Sequence, residues 1–297
     1  MSKPPAILVT GINGQVGYEL LRSLQGLGRV MGLDRNALDL ADLDRLREVV
    51  REMKPAFIVN PAAYTAVDKA ETDEVAARRL NAEAPGVLAE EAARCGAALI
   101  HYSTDYVFDG TKDAPYTEDD ATNPQNVYGQ TKLEGERAIA ASGCAHLILR
   151  TSWVYGRRGK NFLLTMLKLG AERPELRVVA DQIGAPTWSR TIAEATAHIV
   201  AQGLAASIAG DGQWWFSRSG IYHLAARGDT SWHGFAQAIF DLAMRDGGPR
   251  VMPIPAADYP VPAKRPTNSC LSDDKLAGTF GLTLPRWDEA LRLCLSD

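Results

Sequence analysis

Tyr128 and Lys132 stand four residues apart in Tyr-Gly-Gln-Thr-Lys. On a helix that spacing puts both side chains on one face. A phenol with its ordinary pKa of about 10 is a sluggish acid at neutral pH, and an ammonium beside it favours the phenolate and lowers that value. Lys132 can also hold a ribose hydroxyl. Thr104 follows a strand-like run, Ala97 to Ser103. A hydroxyl at the carboxyl end of a strand faces the crevice of an open sheet, where it can align a carbonyl with the phenol. Ser103 reads as a strand-end serine that bonds backbone. Thr104, Tyr128 and Lys132 together could protonate an alkoxide as a carbonyl takes up hydride.

A second constellation could hold the source of that hydride. Thr10-Gly-Ile-Asn-Gly-Gln-Val-Gly17 places glycines three apart between a strand-like and a helix-like run. Glycines there permit a tight turn and close approach of a pyrophosphate, and the helix N-terminus supplies free N–H groups. Asp34 ends the second strand, twenty residues beyond Gly14, where a carboxylate can accept from the adenosine ribose. The next residue, Arg35, can pair with a 2′-phosphate instead. Asp34 points to NAD and Arg35 to NADP, so tolerance of both NADH and NADPH is expected. Ala62, Ala63 and Tyr64 follow the third strand. The cofactor set read this way is Gly11, Gly14, Gln15, Val16, Gly17, Asp34, Arg35, Asp39, Leu40, Ala62, Ala63, Tyr64, Tyr128 and Lys132.

These groups need a scaffold. Strand-like runs at 6–10, 29–33, 56–60, 97–103 and 146–152 alternate with helix-like runs at 18–25, 43–53, 73–95 and 128–141. The strands lack alternating polarity, which indicates a parallel sheet covered on both faces. The expected class is α/β, a doubly wound, Rossmann-like parallel sheet with a smaller C-terminal substrate lobe. Residues 1–152 read as the dinucleotide-binding domain, with segments around 187–227 returning to it. Residues 153–186 and 228–297 read as the substrate-binding lobe. Helices at 162–173 and 191–203, a late strand at 221–225 and an extended, proline-rich stretch at 252–266 are expected in the second half of the chain.

Bulk properties narrow the class. A net charge of -4 without a basic run argues against a nucleic-acid or anionic-membrane surface. Cys95, Cys144, Cys270 and Cys294 are too scattered for a metal site and read as reduced thiols of a cytoplasmic protein. No run reaches the ~18–20 apolar residues of a membrane span, and Met1 to Pro5 carries no signal-peptide pattern. The five histidines are scattered, and His101 and His146 read as satisfied core residues.

The combined motifs resemble the extended short-chain dehydrogenase/reductases, and within them the dTDP-4-dehydrorhamnose reductase family. The pieces that carry the likeness are residues 60–71, His101-Tyr-Ser-Thr-Asp-Tyr-Val-Phe-Asp-Gly110, 126–136, 149–156, Asp181-Gln-Ile-Gly-Ala-Pro-Thr187 and Arg265-Pro-Thr-Asn-Ser-Cys-Leu271. The resemblance implies hydride transfer from NADPH or NADH to C4 of a dTDP-linked 4-keto-deoxysugar, giving dTDP-L-rhamnose. It implies Tyr128 as proton donor, Lys132 as its tuner and Thr104 as carbonyl aligner. It suggests Asp105, Trp153, Gln182, Arg265 and Asn268, beside Thr104 and Tyr128, as substrate contacts. Arg265 could bind the diphosphate through its planar fork.

Two departures stand out: Pro61 replaces a more usual alanine, and Asp211 to Gly220 looks like an insertion. Its Trp214-Trp215-Phe216 either packs on the sheet edge or makes a protein contact. Some relatives hold magnesium through acidic clusters at a dimer interface; no such cluster can be assembled here, so no metal is expected, and a homodimer stays open. The competing readings are a nucleotide-sugar epimerase or dehydratase of the same family, and a non-catalytic regulatory subunit.

Overall fold

The computed structural model describes residues 4–244 and 247–296. Five strands alternate with helices through its first half: β1 (Ala6–Thr10), β2 (Arg29–Leu33), β3 (Phe57–Asn60), β4 (Ala98–Thr104) and β5 (Ala145–Thr151). A sixth strand, Gly220–His223, pairs with β5 and completes one sheet. Its order is sixth strand, β5, β4, β3, β1, β2, and every pairing is parallel. The chain order reverses between β1 and β3, which opens a crevice at the carboxyl ends of those strands.

The α-helices are α1 (Gln15–Ser23), α2 (Leu43–Met53), α3 (Val67–Ala70), α4 (Glu74–Arg78), α5 (Ala84–Cys95), α6 (Val127–Ala141), α7 (Phe162–Glu172), α8 (Ser189–Ile208), α9 (Trp214–Ser217), α10 (Trp232–Ala243), α11 (Asp274–Phe280) and α12 (Trp287–Ser296). Alternate residues of β1 point to opposite faces. Ile7 and Val9 join Leu20 of α1 and Ile192 and Ile199 of α8 in one core; Leu8 joins Leu46 of α2 and Leu88 of α5 in the other. Side chains start several helices: Asp42 accepts from the Arg45 N–H, Asn126 from Gly129 and Asn161 from Leu164.

A third core lies apart from the sheet, built on Tyr155, Leu163, Leu176, Phe235, Ile239 and Leu291. The extended stretch expected after Met252 begins as a strand, Arg250–Ile254, paired in parallel with Glu175–Val179.

The structure differs from the expected elements in three places that matter. Helix α1 begins at Gln15 rather than Tyr18, so its first turn sits directly on the glycine turn. The helix expected over 73–95 is interrupted by a π-helical turn, Arg79–Glu83, between α4 and α5. The short α3 and the helices α10, α11 and α12 have no counterpart among the expected elements. Trp214 and Trp215 of α9 turn inward, with Trp215 5.2 Å from the Phe57 ring, while Phe216 stays exposed.

Candidate active site

A cleft of about 700 Å³ opens at the carboxyl ends of the central strands. Gly11, Gly14, Gln15, Val16 and Gly17 form one end, with Asp34, Arg35, Asp39 and Leu40 beside them and Ala62 and Ala63 on the wall. Thr104, Asp105, Tyr128, Lys132 and Trp153 line the other.

Three elements bring the reactive groups together. Thr104 is the last residue of β4, Asp105 opens the 3-10 turn that follows, and Tyr128 and Lys132 share a face of α6. The Thr104 hydroxyl donates to Asp105 Oδ1 at 2.9 Å and accepts from the Tyr106 N–H at 3.2 Å. The Tyr106 ring meets Tyr128 edge-on, with centroids 5.5 Å apart. Gly129 lets α6 come this close: a Cβ there would lie 2.1 Å from the Tyr106 carbonyl oxygen.

Burial dominates the ionisation of these groups. It pushes Tyr128 up to about 12, against the Thr104 hydroxyl and with help from the Asp105 charge. It pushes Asp105 up to about 6, against hydrogen bonds from Ser269 and Thr104. It brings Lys132 down to about 8, against Glu136. The expectation that Lys132 lowers the Tyr128 pKa is not met in this arrangement. The Lys132 Nζ is turned instead to His101 Nε2 at 3.0 Å and the Tyr102 carbonyl at 2.5 Å.

The other end suits a dinucleotide. No side chain caps α1, so the N–H groups of its first turn have no side-chain acceptor. A Cβ on Gly17 would lie 2.3 Å from the Gly11 carbonyl oxygen, so only glycine lets the helix pack on the turn. Asp34 Oδ1 accepts from the Asn36 and Ala37 N–H groups, both at 3.0 Å, and Oδ2 from Asn13 at 3.2 Å. These bonds, the one from Ala37 foremost, lower its pKa. The Arg35 side chain is 82% exposed and only loosely paired with Asp39 at 3.4 Å, which leaves its guanidinium accessible.

Four of the site residues expected from sequence do not line the cleft. The Tyr64 phenol turns away to donate to Asp73 at 3.0 Å. Arg265 sits behind the cleft wall, paired with Asp68 at 2.8 Å and 5.9 Å from the Tyr106 ring centroid. Asn268 donates to the carbonyls of Lys112 and Ala114 and lines a second cavity. Gln182 lies between Asp181 and Ile183, which border that same cavity. Conversely, Ser103, Lys160 and Trp232 line the cleft without having been anticipated. Trp232 stacks on Trp153 with ring centroids 3.5 Å apart and planes 8° from parallel. Trp153 carries φ 47°, a left-handed backbone that costs a bulky residue on the order of 1–2 kcal/mol and is held here by its surroundings. Neither the strain nor the stack leaves a mark in residue spacing.

Among the described residues there is no group of three or more His, Cys, Asp or Glu that could hold a metal ion, and no helix long and apolar enough to cross a membrane.

Comparison with known proteins adds to this geometry. The family model described as RmlD substrate binding domain matches residues 5–297. A Burkholderia thailandensis protein named dTDP-4-dehydrorhamnose reductase is 52% identical over 297 residues, covering 98% of each chain. The crystal structure of a dTDP-4-dehydrorhamnose reductase from Clostridium acetobutylicum superposes with a TM-score of 0.87 at 38% identity, covering 98% of each chain. One from Bacillus anthracis, solved in complex with NADP, gives a TM-score of 0.88 at 33% identity and covers 99% of each.

Proposed function

From the fact that this chain belongs to the RmlD substrate-binding-domain family, we propose that it reduces C4 of dTDP-4-dehydro-L-rhamnose to give dTDP-L-rhamnose, with hydride from NADPH or NADH. The observation that carries the reading is the convergence of Thr104, Asp105, Tyr128 and Lys132 on one cleft whose far end is a glycine turn under a helix N-terminus. The relatives at high coverage that bear this activity in their names support the choice of substrate.

The residues present fit a nicotinamide dinucleotide. The turn from Gly11 to Gly17 and the first N–H groups of α1 would hold its diphosphate. Asp34 would meet the adenosine ribose, Arg35 a 2′-phosphate and Lys132 the nicotinamide ribose. When bound in its reduced form, the cofactor supplies the hydride. Thr104 turns its one O–H from Asp105 to the substrate carbonyl and sets its direction. Tyr128 gives its phenolic proton to the oxygen at C4, so ketone, hydride and proton become the secondary alcohol. A hydroxyl aimed at the developing alkoxide, inside a cleft walled by apolar rings, contributes on the order of 3 kcal/mol to the barrier reduction. The stacked rings of Trp153 and Trp232 give the sugar an apolar wall.

We read residues 1–152 and 187–227 as the cofactor-binding unit, and 153–186 with 228–297 as the lobe that receives the sugar nucleotide. The separate core around Tyr155 and Phe235 supports a second unit, while Leu276, Phe280 and Leu284 pack back on the sheet. The same reading sets the reaction in the cytoplasm, where the four free cysteines stay reduced.

The test is absorbance at the NADPH band with dTDP- and GDP-linked 4-ketosugars side by side. Stoichiometric oxidation of NADPH with the dTDP substrate is expected. Conversion of the sugar without net NADPH consumption would instead favour an epimerase or dehydratase, whose cofactor is regenerated within each cycle.

A further inference from the structure

The Lys132 ammonium does not stand alone. His101, inside β4, is wholly buried, with Nε2 3.0 Å from Lys132 Nζ and Nδ1 3.0 Å from the Asn60 side-chain amide. Asn60 ends β3, is equally buried, and accepts from the Thr10 hydroxyl at 2.6 Å. Thr10 ends β1, one residue before the glycine turn. A chain Thr10–Asn60–His101–Lys132 thus crosses three adjacent strands beneath the cleft and ends on α6.

Donor and acceptor accounting allows this chain two arrangements. A neutral imidazole has one N–H and one lone pair, and an ammonium only donates. A charged Lys132 therefore needs the lone pair at Nε2. The ring proton then sits on Nδ1 and must meet the Asn60 side-chain oxygen, which requires that amide turned by half a rotation from its orientation in the structure. In the other arrangement, the one the structure shows, Asn60 gives its NH2 to Nδ1 and its oxygen accepts from the Thr10 hydroxyl. The ring proton then sits on Nε2 and needs a lone pair on Nζ, which only the free amine offers. Amide orientation and imidazole tautomer are therefore tied to the Lys132 charge.

The surroundings permit the switch. Burial, with Lys132 second, holds the His101 pKa well below its ordinary value, so the ring stays neutral while the lysine titrates. The charged and titratable groups on the neighbouring elements are Glu136, which Arg150 of β5 holds through two hydrogen bonds, Asp105 beyond β4, and the phenols of Tyr102 and Tyr128. The Tyr102 phenol is engaged by Thr196 at 2.7 Å, and only its backbone carbonyl meets Lys132.

We infer that His101 is a positioning residue for Lys132: held by Asn60 and Thr10, it fixes the direction of the ammonium and changes tautomer when that ammonium loses its proton. The kinetic consequence rests on the reductase reading above; the tautomer change does not.

The direct test is 15N magnetic resonance of histidine-labelled full-length protein from about pH 6 to about pH 10. The His101 signal is expected to pass from the Nδ1–H to the Nε2–H form, and to keep one tautomer throughout in Lys132→Met. A single His101 tautomer across the range in the unsubstituted protein overturns the inference. In kinetics, His101→Gln keeps an amide oxygen near the place of Nε2, and His101→Phe keeps no acceptor. The Phe variant should lose roughly 10–100-fold in kcat, the value of one hydrogen bond to a charged group, with a displaced pH profile, and the Gln variant should recover most of it. Equal losses in both, with the original profile, mean packing alone and overturn the inference. Should His101→Phe not fold, Thr10→Val removes only the far hydroxyl; it is expected to move the tautomer midpoint, and an unmoved midpoint counts against the chain. An inactive protein that still shows the tautomer change would defeat the reductase reading and leave this one intact.

Discussion

Tyr128 and Asp105 face the same buried end of the cleft with opposite needs. Burial holds the phenol protonated and therefore ready to donate, and Tyr128→Phe removes only that proton. Turnover of the ketosugar by this variant should fall roughly 100- to 10,000-fold, while NADPH affinity, measured by calorimetry, stays within about threefold. Asp105 carries the cost of the same burial. Its folded pKa of about 6 lies above the ordinary 3.8, so the folded chain binds the proton more tightly than the unfolded one. Stability therefore falls as pH rises from about 4 to about 6 and stays lowered above that, by on the order of 3 kcal/mol. Asp105→Asn should raise the Tm at pH 8 and leave it nearly unchanged at pH 4; an equal gain at both would refute this account. At this scale the sequence is informative where a side chain's direction follows from its element. Thr104, Tyr128 and Lys132 were legible because a strand end and a helical four-residue step aim them. Tyr64 and Arg265 were not, because Asp73 and Asp68, their partners in the structure, decide where they point.

At the level of elements, the site depends on how closely α6 lies against its neighbours. Asn81, in the π-helical turn, binds both the N–H and the carbonyl of Tyr64, at 2.8 and 3.2 Å, and reaches Thr131 of α6 at 3.2 Å. One buried amide thus ties the loop after β3 to the helix of Tyr128. Periodicity gave no warning of the turn, since one extra residue in a long helical run leaves the apolar pattern almost intact. Gly129 sets the distance on the other side. Gly129→Ala must push α6 away from the Tyr106 carbonyl. Destabilisation of about 1–3 kcal/mol in urea melts is expected. A drop in kcat larger than the rise in cofactor KM should accompany it, because Tyr128 moves more than the glycine turn does. Wild-type kinetics in this variant would show that the close approach is incidental.

Over the whole molecule, the parallel order of the sheet followed from strand–helix alternation, whereas the third core, apart from the sheet, did not. That core joins residues from 155 to 294 whose mutual contacts no local pattern encodes. The segment 263–265 is tied to α3 and to the start of α6. Asp68 of α3 accepts from the Ala263 N–H at 3.2 Å and from Arg265 at 2.8 Å, and Asn126 donates to the Lys264 carbonyl at 2.8 Å. Asp68 is half-exposed, so its charge contributes under about 1 kcal/mol to stability. Asp68→Ala should therefore leave the Tm almost unchanged and raise KM for the sugar nucleotide several-fold, with KM for NADPH unaltered. A rise confined to the NADPH constant would place this segment on the wrong side of the cleft.

The paired indoles of Trp153 and Trp232 have an optical consequence. Two transition dipoles 3.5 Å apart interact strongly enough to mix their excited states. Circular dichroism should therefore carry a signature that disappears in Trp232→Leu. Because both rings border the cleft, that signal should change as sugar nucleotide arrives, giving a label-free readout of occupancy that needs no turnover.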